Sequence, residues 1–163
     1  MAARHAPTEE THIPSIETEF LFHIELKVGG FHFIGNTSYG NRRIAFVDGG
    51  TFEGPKAKGI VHGDSDWLLM RGDGSTQLDV RLVLETDDSE KMCLSYPGMR
   101  VGEQDVLDQH FAGDPVDVSE YYFRTPMQFE TGSEKYGWLN RILAIGIGYR
   151  SEIGPAYHVH QIL

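Results

Sequence analysis

Hydrophobic and polar residues alternate along several segments of this chain. From Phe20 to Val28, every second position holds a phenylalanine, isoleucine, leucine or valine, with mostly polar residues between them. The same period of two runs from Leu78 to Leu84, where leucine and valine alternate with Asp79, Arg81 and Val83. Successive side chains on a strand point to opposite faces, so this pattern predicts strands with one buried face.

Turn signals separate these segments from further apolar runs. Gly72-Asp73-Gly74 is a strong hairpin signal because glycine adopts positive φ without a steric cost. Gly29-Gly30, Gly49-Gly50 and Gly63-Asp64 are also expected to end strands, and one short helix is expected from Gln104 to Phe111. The predicted strands cover residues 20–28, 43–48, 58–62, 67–71, 78–84, 91–96, 121–125, 139–149 and 157–162.

Antiparallel strands at this spacing close most naturally into a barrel, because closure removes the exposed edges of a sheet. The predicted fold is all-β: a single antiparallel closed β-barrel of roughly eight to ten strands, with at most one or two short helices. A β-sandwich is the alternative. Residues 1–17 are expected to form a flexible N-terminal arm, and residues 18–163 a single barrel domain.

Composition and charge limit the classes of function. The formal net charge is −10, and no cluster of basic residues is longer than Arg42-Arg43. This argues against nucleic acid and anionic membranes as partners. Because the first 15 residues lack an apolar signal segment and no run approaches the roughly 20 apolar residues of a membrane span, we expect a cytoplasmic protein. The single cysteine, Cys93, is expected to be buried as a small apolar residue rather than to act as a nucleophile.

One stretch combines polar and aromatic residues around an apparent turn. Trp138 and Asn140 are two residues apart, so on a strand they would share one face. An amide beside an indole predicts a pocket wall that binds an oxygen of a ligand. The alternative is a core tryptophan whose neighbour caps a turn. Glu130, shortly before them, is a proton donor if it is buried and has no role if it is exposed.

Short motifs along the chain resemble those of a small-barrel family that occurs in bacteria and fungi and has long been catalogued as a domain of unknown function. The resemblance covers residues 20–163 and implies a calycin-like antiparallel barrel, but little about activity. The motifs, in the family's order and spacing, are Gly49-Gly50-Thr51-Phe52-Glu53-Gly54-Pro55, Lys58-Gly59, Asp66-Trp67, Arg71-Gly72-Asp73-Gly74, Leu78-Asp79-Val80-Arg81, Tyr122-Phe123-Arg124-Thr125, Phe129-Glu130-Thr131 and Trp138-Leu139-Asn140.

Several side chains are candidates for proton transfer or for binding a ligand. Asp66 is a candidate general base whose pKa a dry cavity would raise, and its alternative role is to cap the preceding turn. Tyr122 and Arg124 share a strand face and can polarise a carbonyl, unless they form a rim aromatic and a surface arginine. The predicted catalytic residues are Asp66, Glu130 and Tyr122, and the predicted ligand-binding residues are Arg81, Arg124, Trp138, Asn140, Trp67, His62 and Tyr39.

Two further patterns concern a charged pair on a strand and a pair of histidines near the C-terminus. If the aliphatic residues beside Asp79 and Arg81 pack outward, this pair lines the lumen; otherwise it is a surface ion pair worth less than about 1 kcal/mol. His158-Val159-His160 has the spacing of two metal ligands on a strand, but the further ligands of such a site do not follow. No metal and no other cofactor is therefore predicted.

These residues lead to two hypotheses of function. The first is a cofactor-independent enzyme that acts on a small hydrophobic or aromatic molecule by proton transfer, as a lyase, hydratase, isomerase or cyclase of a biosynthetic or degradative pathway. The second is a non-catalytic carrier or sensor of a small hydrophobic ligand. An enzyme cavity is expected to hold a carboxylate facing a donor, and a carrier cavity to be mostly apolar. A homo-oligomer is compatible with the sequence.

Overall fold

The computed structural model describes residues 14–163 and shows one closed barrel of eight antiparallel strands. Each strand pairs with the next along the chain, and β8 pairs with β1 to close the barrel. The predicted all-β barrel is therefore confirmed. The strands are β1 Thr18–Thr37, β2 Gly40–Glu53, β3 Lys58–Met70, β4 Thr76–Thr86, β5 Lys91–Gly102, β6 Tyr121–Glu130, β7 Ala144–Arg150 and β8 Pro155–Ile162.

The first three strands are longer than predicted because they continue past Gly29-Gly30, Gly49-Gly50 and Gly63-Asp64. Gly29-Gly30 lies at register shifts within β1, and Gly50 and Gly63 lie inside β2 and β3. A Cβ on Gly50 would collide with the carbonyl oxygen of Glu25, and one on Gly63 with that of Val47. These glycines mark close approach of neighbouring backbones in continuous strands, so the predicted strand ends there were wrong.

The inner face of the barrel is apolar, and β4 shows the pattern most clearly. Its residues alternate between buried and more exposed positions from Thr76 to Thr86, with Leu78, Val80, Leu82 and Leu84 inside. Burial of one such side chain contributes about 1.5–3 kcal/mol. At one end of the barrel, the ring of Phe22 packs edge to face against the rings of Phe52 and Phe129, and all three side chains are buried.

The predicted helix is confirmed and lies at the other end of the barrel. Helix α1, Gln104–Ala112, buries Leu107 and His110. It ends at Gly113, whose φ of 91° is in the left-handed region and whose N–H bonds back to the last turn. The predicted strand 139–149 was wrong at its start, because a 3₁₀-helix, Gly137–Arg141, precedes β7.

Other predictions from the sequence have mixed outcomes. Cys93 is exposed, because it lies on the outward face of β5 between the buried Met92 and Leu94, so its predicted burial was wrong. The predicted arm, residues 1–17, falls mostly outside the described residues and stays a prediction, as does the division at residue 18. Within residues 14–163, no helix has the length and apolar character needed to cross a membrane.

Candidate functional site

The lumen of the barrel contains a cavity of about 190 Å³ at the end that carries α1. The inward faces of the strands supply most of its wall, and Phe111 of α1 and the β7–β8 connection contribute the rest. Its apolar lining includes Leu26, Val28, Phe31, Ala45, Val47, Leu68, Leu78, Val80, Phe111, Phe123, Ile153 and Pro155. The polar side chains in the wall are Asp66, Tyr96, Arg100, Arg150 and Tyr157.

Asp66 is the carboxyl group of this cavity. It lies on β3 just after a register shift, and Leu68, two residues further, lines the same wall. One Asp66 carboxylate oxygen accepts a hydrogen bond from the backbone N–H of Asp79, 3.3 Å away. Burial raises its pKa from 3.8 to about 7, although this hydrogen bond and the charge of Arg100 partly oppose the shift. Asp66 is therefore partly protonated at neutral pH.

Arg100 is the buried cation of the cavity. It lies on the inward face of β5, and only 9% of its surface is exposed. Burial lowers its pKa below the usual value of an arginine, while the negative charges that Tyr157 and Asp66 can carry oppose this effect. Its Nη1 lies 3.3 Å from Nδ1 of His110, and its guanidinium carbon lies 5.5 Å from the ring centre of Phe123.

Two tyrosines complete the polar part of the wall. Tyr96 and Tyr157 are each 1% exposed, and their rings pack edge to face with centroids 5.4 Å apart. Burial, with a smaller contribution from nearby negative charge, raises both tyrosine pKa values well above 10. Both phenols are neutral at physiological pH. The buried Tyr96 hydroxyl has no hydrogen-bond partner among the described residues.

The predicted pair on β6 lies outside the cavity. The barrel interior takes Tyr121, Phe123 and Thr125, so Tyr122 and Arg124 face outward. Tyr122 is 52% exposed, and the guanidinium carbon of Arg124 lies 5.1 Å from its ring centre. The prediction that both residues act on a ligand in the lumen was therefore wrong. They are a surface aromatic and a surface arginine, which is the alternative that the sequence left open.

The predicted polar face of β4 is also on the outside. Aliphatic residues fill the barrel, which places Asp79 and Arg81 in solvent. Trp67 is 49% exposed on the outer face of β3, where its indole N–H donates a hydrogen bond to the hydroxyl of Ser65. Arg81 and Trp67 were predicted to bind a ligand, but both face outward. Trp67 faces outward because successive residues of a strand point to opposite faces, and its neighbour Asp66 points inward.

Trp138 and Asn140 are on the 3₁₀-helix rather than on a strand, so their spacing of two residues does not place them on one face. The Asn140 amide accepts a hydrogen bond from the N–H of Thr131 at 2.8 Å and donates one to the carbonyl of Thr131 at 2.9 Å. Trp138 is partly buried against the core, with the ammonium of Lys56 5.4 Å from its ring centre. Neither lines the cavity, which corrects their predicted position.

The remaining predicted residues are exposed and lie away from the cavity. Glu130 is the exposed last residue of β6, and Tyr39 is 79% exposed in the β1–β2 hairpin. His62 is exposed on β3 and pairs with Glu85, with Nε2 and Oε2 2.7 Å apart. Their positions differ from the prediction because Tyr39 lies in a hairpin that does not line the cavity, and Glu130 and His62 lie at exposed strand positions.

The two C-terminal histidines lie near other aromatic side chains on β8. The exposed His158 lies 5.1 Å, between ring centres, from His23 and 5.4 Å from Tyr149. His160 packs edge to face with Phe20 at 5.6 Å. Among residues 14–163, no group of three or more His, Cys, Asp or Glu side chains has an arrangement suited to a metal ion.

Comparison with known proteins identifies relatives over most of the chain. A family model described as a protein of unknown function, DUF3237, matches residues 16–162. The solved structure of a conserved protein of unknown function from Rhodopseudomonas palustris is 32% identical, with a TM-score of 0.86 over 93% of this chain and all of that chain. A β-barrel-like protein from Acinetobacter baumannii is 36% identical, with a TM-score of 0.82 over 94% of this chain and all of that chain.

A more distant relative is fungal. The hydroalkoxylation enzyme of Penicillium herquei is 25% identical over 128 residues, which cover 78% of this chain and 71% of the fungal protein. The resemblance to an unknown-function family of bacteria and fungi is thus confirmed. This chain belongs to the DUF3237 family of β-barrel proteins of unknown function.

Proposed function

We propose that this protein is an enzyme that transfers a proton to a small, largely apolar molecule inside the barrel, with Asp66 as the donor. One observation carries the proposal: a carboxyl group whose pKa is about 7 faces a cavity whose wall is otherwise mainly apolar. A carboxyl with this pKa can donate and accept protons at neutral pH, as general acid–base catalysis requires.

The proposed reaction is the addition of a hydroxyl group across a carbon–carbon double bond of the same molecule. The name of the fungal relative, a hydroalkoxylation enzyme, supports this reaction class. Protonated Asp66 gives its proton to one alkene carbon, and the hydroxyl oxygen forms a bond to the other carbon. The hydroxyl proton then passes to the Asp66 carboxylate. The product is an isomer of the substrate, so the reaction consumes no other reagent.

The groups around Asp66 fit this sequence of events. Once Asp66 has given up its proton, the buried positive charge of Arg100 stabilises the carboxylate, as its effect on the Asp66 pKa indicates. The neutral phenol of Tyr157 offers a hydroxyl in the wall of the same cavity. The apolar remainder excludes water, which would otherwise capture a reactive carbon centre.

The size of the cavity limits the substrate. An apolar cavity of about 150 Å³ holds benzene, so the 190 Å³ available here suits a molecule of about one ring with a short side chain. A phenol with an alkenyl group is such a molecule. Its ring would contact the aliphatic wall, while its oxygen and alkene would lie near Asp66.

The carrier hypothesis remains the second candidate, because aliphatic and aromatic side chains dominate the cavity wall. A carrier would bind the same ring-sized molecules without changing them. Binding and turnover must therefore be measured separately on one compound. Both hypotheses predict binding of the compound, and only the enzyme hypothesis predicts its turnover.

2-Allylphenol is a suitable probe, since it combines a hydroxyl and an alkene in one ring-sized molecule. We expect saturable binding and slow conversion to the cyclic ether, with turnover lowered about 100-fold or more by Asp66→Asn. Asp64→Asn, which changes an exposed carboxylate of the same strand, is the matched control and should leave turnover unchanged. Binding without turnover would favour the carrier hypothesis, and equal turnover in Asp66→Asn would refute the role of Asp66.

A further inference from the structure

A second recess lies beside the cavity, between α1 and the strand ends of β2 to β5. We name it the arginine groove after its three cationic side chains, Arg43, Arg71 and Arg100. Its volume is about 410 Å³, and Arg100 and Phe111 line both this groove and the cavity. In a chain of net charge −10, such a concentration of positive charge calls for a physical explanation.

Two of these arginines have unused hydrogen-bonding capacity. The Nε atoms of Arg43 and Arg100 are buried and have no hydrogen-bond partner among the described residues. Within residues 14–163, neither guanidinium has a carboxylate at salt-bridge distance. Buried charges are normally paired, because an unpaired buried charge is costly. An anionic ligand would supply the missing partner.

Aromatic rings hold the Arg43 guanidinium in place. Its central carbon lies 4.8 Å from the ring centre of Phe111 and 5.5 Å from that of Phe33. Arg43 lies two residues before the buried Ala45, so it is on the inward face of β2. A guanidinium fixed in this way keeps a flat fork of donors that matches the oxygens of a carboxylate or phosphate.

The acidic groups near the groove do not occupy these donors. Asp108 accepts a hydrogen bond from the amide of Gln104 at 2.8 Å. Asp73 lies 3.7 Å from Arg71, and both of these side chains are largely exposed. Arg71 can therefore turn towards a ligand at little cost, because exposed ion pairs are weak.

We propose that the arginine groove binds an oxyanion group, the carboxylate or phosphate of a small ligand, through Arg43, Arg71 and Arg100. Arg43 and Arg71 lie outside the cavity lining, so the site does not depend on proton transfer by Asp66. Arg100 links the two compartments, which allows a single ligand to place its anionic end in the groove and its apolar body in the cavity.

Calorimetric titration with sodium benzoate and, separately, with inorganic phosphate at low ionic strength tests this proposal. We expect saturable binding of at least one probe, weakened about tenfold or more by Arg43→Gln and also weakened by Arg71→Gln. Arg71 is exposed, so its variant tests the site even if Arg43→Gln does not fold. Tighter binding of benzoate would identify a carboxylate ligand, and tighter binding of phosphate a phosphate ligand.

Arg81→Gln, on the outer face of β4, is the matched control and should bind both probes as the unmodified protein does. Inorganic phosphate has no alkene and undergoes no turnover, so its binding is measured independently of proton transfer by Asp66. Failure of the proton-transfer hypothesis and failure of this one are therefore distinguishable. The proposal is overturned if neither probe binds saturably, or if Arg43→Gln and Arg71→Gln both bind as tightly as the unmodified protein.

Discussion

Arg100 on β5 donates a hydrogen bond from Nη1 to Nδ1 of His110 on α1, across 3.3 Å. Arginine has no acceptor, so this bond requires the neutral form of His110, with Nδ1 unprotonated. Burial, together with the positive charges of Arg100 and Arg150, lowers the pKa of His110 from 6.5 to about 4. The helix is thus joined to the cavity wall by a bond that protonation of His110 would break.

This bond predicts a dependence of stability on pH. Because the folded-state pKa of His110 is lowered, its contribution to stability is present above pH 6.5 and is lost as pH falls towards 4. Between pH 6.5 and pH 4, the unfolding free energy of the unmodified protein should therefore fall by on the order of 2 kcal/mol more than that of His110→Gln. Urea unfolding at several pH values measures it. The exposed His32→Gln is the control, and equal pH slopes for His110→Gln and the unmodified protein would contradict the prediction.

Asp66 should have the opposite effect. Its folded-state pKa is raised from 3.8 to about 7, so its contribution is fully present below pH 3.8 and is lost as pH rises through 7. At pH 8, Asp66→Asn should therefore be more stable than the unmodified protein by about 1–3 kcal/mol. The difference should be smaller at pH 5. Denaturant titrations at both pH values, with Asp64→Asn as control, test this; a variant less stable than the unmodified protein at pH 8 would disagree.

Gly148 should tolerate no side chain. A Cβ at this position on β7 would collide with the ring of Phe123, which is 1% exposed and lines the cavity. Gly148→Ala should lower the unfolding free energy by about 1–3 kcal/mol through overpacking. Gly132→Ala is the matched control, because nothing lies within 4 Å of its Cβ position. Thermal unfolding compares the two, and equal effects would argue against this packing.

Asn140 should act on stability alone. Asn140→Ala removes both hydrogen bonds to the backbone of Thr131 and should cost about 1–2 kcal/mol of unfolding free energy. Binding of 2-allylphenol should not change, because Asn140 is not in the cavity wall. Gln77→Ala, at an exposed position on β4, serves as control in the same unfolding and binding measurements. If Asn140→Ala binds 2-allylphenol more weakly than the unmodified protein, Asn140 contributes to ligand binding and this prediction is wrong.

The sequence predicted the barrel well because period-two alternation is a local property of each strand. It predicted strand ends poorly where glycines lie inside continuous strands, as at Gly50 and Gly63. Their role depends on a backbone from elsewhere in the chain, Glu25 in one case and Val47 in the other. A local pattern contains no information about such an approach.

The candidate site was predicted only in part, because the sequence pattern does not show which of the two faces of a strand points into the barrel. Asp66 lines the cavity, whereas Arg81 and Tyr122 face outward on strands whose aliphatic residues fill the barrel. Arg100 was missed because the predicted strand ended at residue 96, before Pro97-Gly98. Tyr96 was the last residue of that predicted strand and was not chosen as a candidate. The alternation in fact continues through Gly98 to Arg100, and extending it would have placed that arginine inside.

The ionisation of Asp66 is the most direct test of its proposed role as proton donor, since it does not depend on the identity of the substrate. Carbon-detected NMR can follow the side-chain carboxyl signals of the protein between pH 3 and 9, with the Asp66 signal assigned by its absence in Asp66→Asn. We predict that this signal titrates with a midpoint of about 7. A midpoint near 4, the ordinary value for an exposed aspartate, would contradict a role for Asp66 as proton donor at neutral pH.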